Sequence, residues 1–428
     1  MMRRLVVVGA AAVVATALVA GGAQAASPEA QVVGTATLPD IPLAAFSNTL
    51  LPGSVANDRS VDLGGIGSDL FPAGRPGEFW TVTDRGPNGQ IKIDGVNRRT
   101  FPVPGFDPAI VKVKVSGSKL QVLTAIPITT RHGAPVTGLS NQVSRDEIPY
   151  TYDASTRLDL NPNGLDTEGI VRAHDGTFWL VDEYSPSLVH VSARGIVLAR
   201  YVPKGLSLTG ADYPVIEALP SIFLTRKGNR GFEGLAQLPV GDLVLALQSP
   251  LLNPTKAVGE ASRTTRLLRF SPRRGKVTAE YGYQFDPVGV VDPGEDDTTE
   301  LKISSVVAAG PETLLVQERT DNAARLQTVV LKSRYDILGS RWDDAATTPS
   351  LEASANPPVL PKKLFLDLNT IPGVPKKIEG VALVTPHTLA VINDNDFGMT
   401  DGPAAFDAAG NLVDSGVETR MVTIRLSR

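Results

Sequence analysis

The chain has 428 residues, 42% of them hydrophobic, with 40 Gly, 33 Pro, no Cys and a formal net charge of -4. That length and apolar content describe a folded protein with a large core and exclude a disordered one. The acidic balance leaves no basic stripe for a phosphate backbone, which excludes a nucleic-acid binder, and the absence of Cys excludes a disulfide framework or a lipid-modified Cys anchor.

At the N-terminus, Arg3 and Arg4 precede an apolar run over residues 5–20, and Ala23-Gln24-Ala25 forms a small-x-small cleavage site. This pattern predicts a signal peptide over residues 1–25, cut after Ala25, and hence a secreted protein with no membrane span after cleavage. The apolar run is short for a spanning helix. Residues 26–60 hold one predicted strand, 31–38, and a Pro-rich irregular stretch; residues 61–428 form the main domain.

That domain repeats. Glu168-Gly169, Glu233-Gly234 and Glu379-Gly380 each open a short apolar run, and 15 residues after each Glu stands a second polar residue, Glu183, Gln248 or Asp394. Aligning the second apolar runs by their ends gives five copies, at residues 79–84, 178–183, 243–248, 313–318 and 389–394. Two further strands follow most copies, for example 110–115 with 121–128, 188–191 with 196–202, and 266–270 with 277–285. Four short strands per unit, punctuated by turn glycines, predict an all-β chain, a β-propeller of four-stranded antiparallel blades. Five blades are visible, and an insertion could hide a sixth. The last copy supplies three strands, ending at 420–426, and the strand at 31–38 lacks a unit, so the two chain ends are expected to complete one blade and remove a sheet edge. Long insertions at 130–160, 249–262, 286–299 and 334–360 read as functional or mobile loops.

Adjacent antiparallel strands place the start of one and the end of the next at the same end. Glu168, Glu233 and Glu379 are therefore expected to share a mouth with Asp84, Asp182, Glu183, Gln248, Glu318, Asn393, Asp394, Asn395 and Asp396, and with Arg85, Arg319 and Lys377. Crowded carboxylates repel and need cations. Oxygen ligands without Cys and with only four His favour a hard cation, and Ca²⁺ suits an exported protein. Glu168, Glu233, Glu379, Asp84, Asp182 and Glu183 are the candidate catalytic groups. Asp394, Asp396, Glu318 and Asn393 are the candidate metal ligands, and Arg85, Arg319 and Lys377 the candidate substrate binders. The repeated Glu-Gly also has a structural reading, with Gly permitting close packing near the axis. The run from Asp292 to Glu300 reads as a solvated acidic loop. No G-x-S-x-G is present, so a nucleophile elbow is not expected. His132, in a long loop, is the one histidine with a route to the mouth.

The segments Asn163-Gly164-Leu165-Asp166-Thr167-Glu168-Gly169, Phe178-Trp179-Leu180-Val181-Asp182-Glu183, Gly231-Phe232-Glu233-Gly234, Ile378-Glu379-Gly380 and Asn393-Asp394-Asn395-Asp396-Phe397 resemble the phytase-like family called "esterase-like activity of phytase", over roughly residues 60–425. The resemblance implies an exported bacterial protein with a propeller-like fold, hydrolysing ester or phosphoester bonds. It also implies an architecture similar to the calcium-dependent β-propeller phytases, in which an acidic channel holds calcium. The characteristic phytase segments, with paired aspartates before Pro-Ala, are absent, so no phytase catalytic residue carries over. The expectation is a monomeric phytase-like or esterase-like hydrolase of a small-molecule ester. The alternative is a non-catalytic secreted or cell-surface propeller that binds a ligand, glycan or protein.

Overall fold

The computed structural model describes residues 29–51, 55–141 and 146–427. The predicted signal peptide lies outside them. Among the described residues no helix is long and apolar enough to cross a membrane.

The chain is mostly β. An eight-stranded sheet joins two runs of four through a single parallel bridge, Thr37 to Lys119, at their outer edges. One run is Phe71–Pro72, Glu78–Val82, Ala109–Ser116 and Lys119–Pro127. The other is Ile378–Thr385, Thr388–Asn393, Arg420–Leu426 and, outermost, Ala30–Thr37 from the N-terminus. Three further sheets begin at Thr167–Arg172, Phe232–Gln237 and Val306–Ala308. The first of these gains a fifth strand, Val215–Leu219, paired in parallel on its outer edge.

The second strand of each sheet lies between two neighbours and is buried on both faces, which is why its sequence is a continuous apolar run and not an alternating one. Every residue of Phe178–Asp182 and of Leu243–Leu247 is buried. Outer strands such as Lys119–Pro127 expose part of their length. Phe79, Trp80, Phe178 and Trp179 are core side chains. Two elements escape the sequence reading. A helix, Leu43–Leu50, occupies the stretch expected to be irregular, and a hairpin, Gly89–Ile93 with Val96–Thr100, projects from the connection after Glu78–Val82.

The inner strands touch in cyclic order, from Phe71–Pro72 through Thr167–Arg172, Phe232–Gln237, Val306–Ala308 and Ile378–Thr385 back to the first. Their axis is narrow. Asp69, before the first inner strand, accepts hydrogen bonds from the Ile170 N–H at 3.0 Å and the Ser305 hydroxyl at 3.1 Å, two strands apart around the ring. The Gly of each Glu-Gly makes this approach feasible. A Cβ on Gly169 would stand 2.7 Å from the Glu233 carbonyl oxygen, one on Gly234 would stand 2.7 Å from Val306, and one on Gly380 would stand 2.9 Å from the Asp69 backbone. Gly169→Ala should therefore lower stability by about 1–3 kcal/mol, as overpacking against backbone does, measured by denaturant unfolding.

The 334–360 insertion is pinned by a buried guanidinium. Arg266 contacts Glu280 and Glu352, the latter at 2.9 Å, and donates to the Trp342 carbonyl at 2.9 Å. Burial, against the lowering effect of Arg266, pushes the Glu280 carboxyl up to about 8. An unfolded glutamate ionises near the ordinary value, so this group favours the fold at low pH, and its contribution is lost as pH rises toward about 8. Between about pH 5 and about pH 9 the melting temperature should fall, and Glu280→Gln should reduce that fall by at least about 2 °C.

Candidate functional site

The fixed spacing of the repeat has a backbone cause. In four sheets the residue after the second strand, or closing it, donates its N–H to the carbonyl two residues before the inner-strand position. The pairs are Glu183 to Asp166 at 3.0 Å, Gln248 to Gly231 at 2.9 Å, Arg319 to Lys302 at 2.9 Å and Asp394 to Lys377 at 3.1 Å. Each bond sets two side-chain columns at one level of the ring. Glu168, Glu233 and Glu379 occupy the first column, with Ser304 in the fourth sheet, and Glu183, Gln248, Arg319 and Asp394 occupy the second. Alignment of apolar runs had placed Glu318 in this column; the 15-residue spacing from Ser304 leads to Arg319 instead.

The columns surround a cavity of about 390 Å³. Eleven of the fifteen residues expected at the mouth line it: Asp84, Glu168, Glu183, Glu233, Gln248, Glu379, Arg85, Arg319, Lys377, Asp394 and Asp396. Asn395 does not, and accepts instead from the Gly65 N–H at 3.2 Å. Asp182, Glu318 and Asn393 are absent from the wall as well. Successive strand side chains point to opposite faces, so each of these turns away from the cavity that its successor enters. Asp182 is fully buried against Arg200 and accepts from the Ser187 hydroxyl at 2.8 Å. Glu318 binds the Tyr283 hydroxyl at 2.6 Å and the Lys362 ammonium. Asn393 accepts from the Arg420 N–H at 2.7 Å and donates to the Glu418 carbonyl at 3.1 Å. His132 lies on the surface beside Asp212, away from the cavity, and no residue of the 292–300 loop lines it.

The sequence reading also missed wall residues. Asn88, Gln90 and Arg99 come from the unforeseen hairpin and the turn before it. Asn229, Arg230, Lys302 and Asp321 lie within four residues of column positions, a proximity that could have flagged them. Asn229, Lys377 and Asp396 all hold left-handed φ, of 50°, 48° and 50°, a conformation that side-chain-bearing residues adopt at some cost and that recurs at functional sites.

Of the described ionisable groups lining the cavity, nine are carboxylates and six are cations. Most are paired. Arg319 contacts Glu233 at 3.3 Å, Glu379, and Asp321 at 2.9 Å. Lys377 holds Asp394 at 2.8 Å and Asp396, and Lys302 holds Asp321 at 2.7 Å. Arg85 sits 3.3 Å from Asp166, and Arg99 2.8 Å from Glu147. Burial opposes the charge on Arg319, but Glu379, Glu233 and Asp321 outweigh it and hold the guanidinium pKa above its ordinary value. The cation without a carboxylate partner among the described residues is Arg230, which donates only to the Ser249 hydroxyl at 3.2 Å.

Two carboxylates are left over. Glu168 is 8% exposed and Glu183 3%, and among the described residues neither side chain has a hydrogen-bond or ion-pair partner. Oxygens of Asp166, Glu168 and Glu183 lie within 4.8 Å of one another, as do those of Glu168, Glu233 and Glu379, so Glu168 belongs to both groups. Burial first, then Asp166, Glu183, Glu233 and Glu379, drives the Glu168 carboxyl well above the usual range; burial, Asp166 and Glu233 do the same to Glu183. Unpartnered buried charge costs several kcal/mol unless a proton or metal ion answers it. The donor set, all carboxylate oxygen with no sulfur or imidazole, suits a hard divalent cation. In the absence of cation, Glu168→Gln should therefore raise the melting temperature; a structural anchor in the same place would lower it.

A family model described as "Phytase-like: Esterase-like activity of phytase" matches residues 61–397. An "Uncharacterized secreted protein" from Arthroderma benhamiae is 26% identical over 324 residues, which span 64% of this chain and 62% of that protein. Among solved structures, the PQQ-bound aldose sugar dehydrogenase from Streptomyces coelicolor is 14% identical, with 95% of this chain and 100% of that one covered and a TM-score of 0.35. The calcium-binding protein regucalcin from Agrobacterium tumefaciens is 11% identical over 87% of this chain and 93% of its own, also with a TM-score of 0.35. At such scores neither likeness informs the chemistry. The family match covers most of the chain and contains both side-chain columns, from Glu168 to Asp394: this protein belongs to the phytase-like family.

Proposed function

We propose that the chain is an exported, monomeric hydrolase of small polar esters or phosphoesters that depends on a divalent cation, calcium in the first instance. In this reading residues 1–25 are the export signal. The domain from residue 61 is a five-bladed propeller, and Ala30–Thr37 completes the C-terminal blade. The observation that carries the chemistry is the pair of buried, unpartnered carboxylates, Glu168 and Glu183, facing a polar cavity beside Asp166. These three residues would hold the ion. A bound calcium would polarise the ester or phosphoryl oxygen and lower the pKa of water.

The surrounding side chains have separable tasks. Arg230 presents to the cavity a positive charge with no ion pair among the described residues, and is the natural contact for an anionic substrate group. Arg85, Arg319 and Lys377 support the site through the carboxylates they already hold. Asp84 accepts from the Gly86 N–H at 2.8 Å through one oxygen, leaving the other to carry a proton. Burial, together with Asp394 and Asp166, drives its carboxyl well above the usual range, as a general acid requires. Asp84 would give its proton to the departing oxygen and recover one from the attacking water.

The purified protein should hydrolyse a phosphomonoester or simple polar ester with calcium present, lose turnover in chelator and regain it on re-addition. Glu183→Gln should abolish turnover while the fold persists by circular dichroism. Arg230→Met should raise KM for an anionic ester about tenfold and leave KM for a neutral one unchanged. Absence of any hydrolysis above background with calcium would sink the enzyme reading.

A further inference from the structure

The two carboxylate groups that share Glu168 are not equivalent. In the first, Asp166 meets Arg85 at 3.3 Å, but among the described residues Glu168 and Glu183 have no hydrogen-bond or ion-pair partner, and Arg85 and Arg230 act on Glu183 only at longer range. In the second, one guanidinium already spans two of the three members: the Arg319 Nη2 contacts Glu233 at 3.3 Å and Glu379. Arg319 is 2% exposed, and its remaining donors are fixed as well, Nη1 on Asp321 at 2.9 Å and Nε on the Ser304 hydroxyl. Lys302 steadies Asp321 from the other side at 2.7 Å. All three nitrogens of the guanidinium are thus committed, and its plane is set by side chains from its own sheet and two others.

We infer that Arg319 is a built-in substitute for a second metal ion: it fills the Glu233–Glu379 end of the carboxylate cluster and restricts the mouth to one cation, at Glu168, Glu183 and Asp166. The inference rests on the cation-dependent reading above. A guanidinium stays charged at any pH the protein survives, so the Glu233–Glu379 end keeps its positive charge throughout. It is also tethered by the chain, which gives it an effective concentration that a free ion at millimolar level must overcome. Glu233 and Glu379 then act as positioning residues for Glu168, and the departure of the fourth repeat from Glu-Gly to Ser304-Ser305 has a purpose: a Glu at Ser304 would add another carboxylate to a place where one guanidinium already serves two.

Calcium titration calorimetry on the chelator-treated, purified protein tests this. The native chain should bind one ion, Arg319→Lys one, and Arg319→Gln two. Glu183→Gln should lose the native ion and Glu379→Gln should keep it, a comparison that decides the matter even if Arg319→Gln does not fold. Two ions in the native chain, one in a folded Arg319→Gln, or loss in Glu379→Gln with retention in Glu183→Gln would each overturn the assignment while leaving a cation-dependent site intact. No binding by the native chain would overturn the cation reading itself, and the assignment with it.

Discussion

The structure at the mouth depends on one constraint: carboxylates whose oxygens are brought within 4.8 Å of each other, out of water, must be neutralised from within the protein or by what it binds. The repeat supplies the negative charge, because each copy that keeps Glu-Gly adds another carboxylate to the same level of the ring. The positions that depart from the repeat, or flank it, supply the positive charge. Arg319 stands where other copies place Glu183, Gln248 and Asp394, while Lys302 and Lys377 lie two residues before first-column positions. Repetition builds the cage, and departure from it sets the balance.

The same economy explains the glycines. Carboxylates from different sheets could not come so close if the inner strands stood a side chain apart. With no Cβ at Gly169, Gly234 and Gly380, each inner strand lies against the backbone or side chains of the next, and the axis narrows enough for Asp69 to reach two other strands. The Glu and the Gly of the motif are therefore one device. Gly sets the distance between strands, and that distance fixes the electrostatic state of the Glu beside it.

Much of this was legible in the sequence because it rests on spacing. Strand positions such as 420–426 and the pairing of chain ends followed from turn glycines and a count of apolar runs, and the convergent columns followed from antiparallel geometry. The failures have a common origin. Asp182, Glu318 and Asn393 sit one residue from cavity positions, and alternation along a strand turns such a neighbour to the opposite face. An apolar run with one polar end does not say which polar residue faces the axis; the backbone bond that closes the column does. The hairpin at Gly89–Thr100 was invisible for another reason, since it lies in a connection whose path is set by tertiary packing and not by local pattern. The buried pairs Arg200–Asp182 and Arg266–Glu280 were likewise hidden, because a single charge inside a strand gives no sign of its partner across the sheet.

If the protein acts on esters as proposed, the cavity wall also limits the kind that fits. Met399 is its one plainly apolar residue, and the rest are charged, amide or hydroxyl side chains. A long acyl chain would find no apolar surface to bury against, and would force polar groups to lose water without return. An anionic substrate faces the opposite difficulty, a wall in which nine carboxylates oppose six cations among the described residues. Arg230 alone cannot offset that excess. A divalent cation between Glu168 and Glu183 would reverse the local sign and let a phosphate or carboxylate approach the same carboxylates that otherwise repel it. Substrate charge and cation requirement are thus linked by one electrostatic argument: the more anionic the ester, the more completely its binding must depend on the ion.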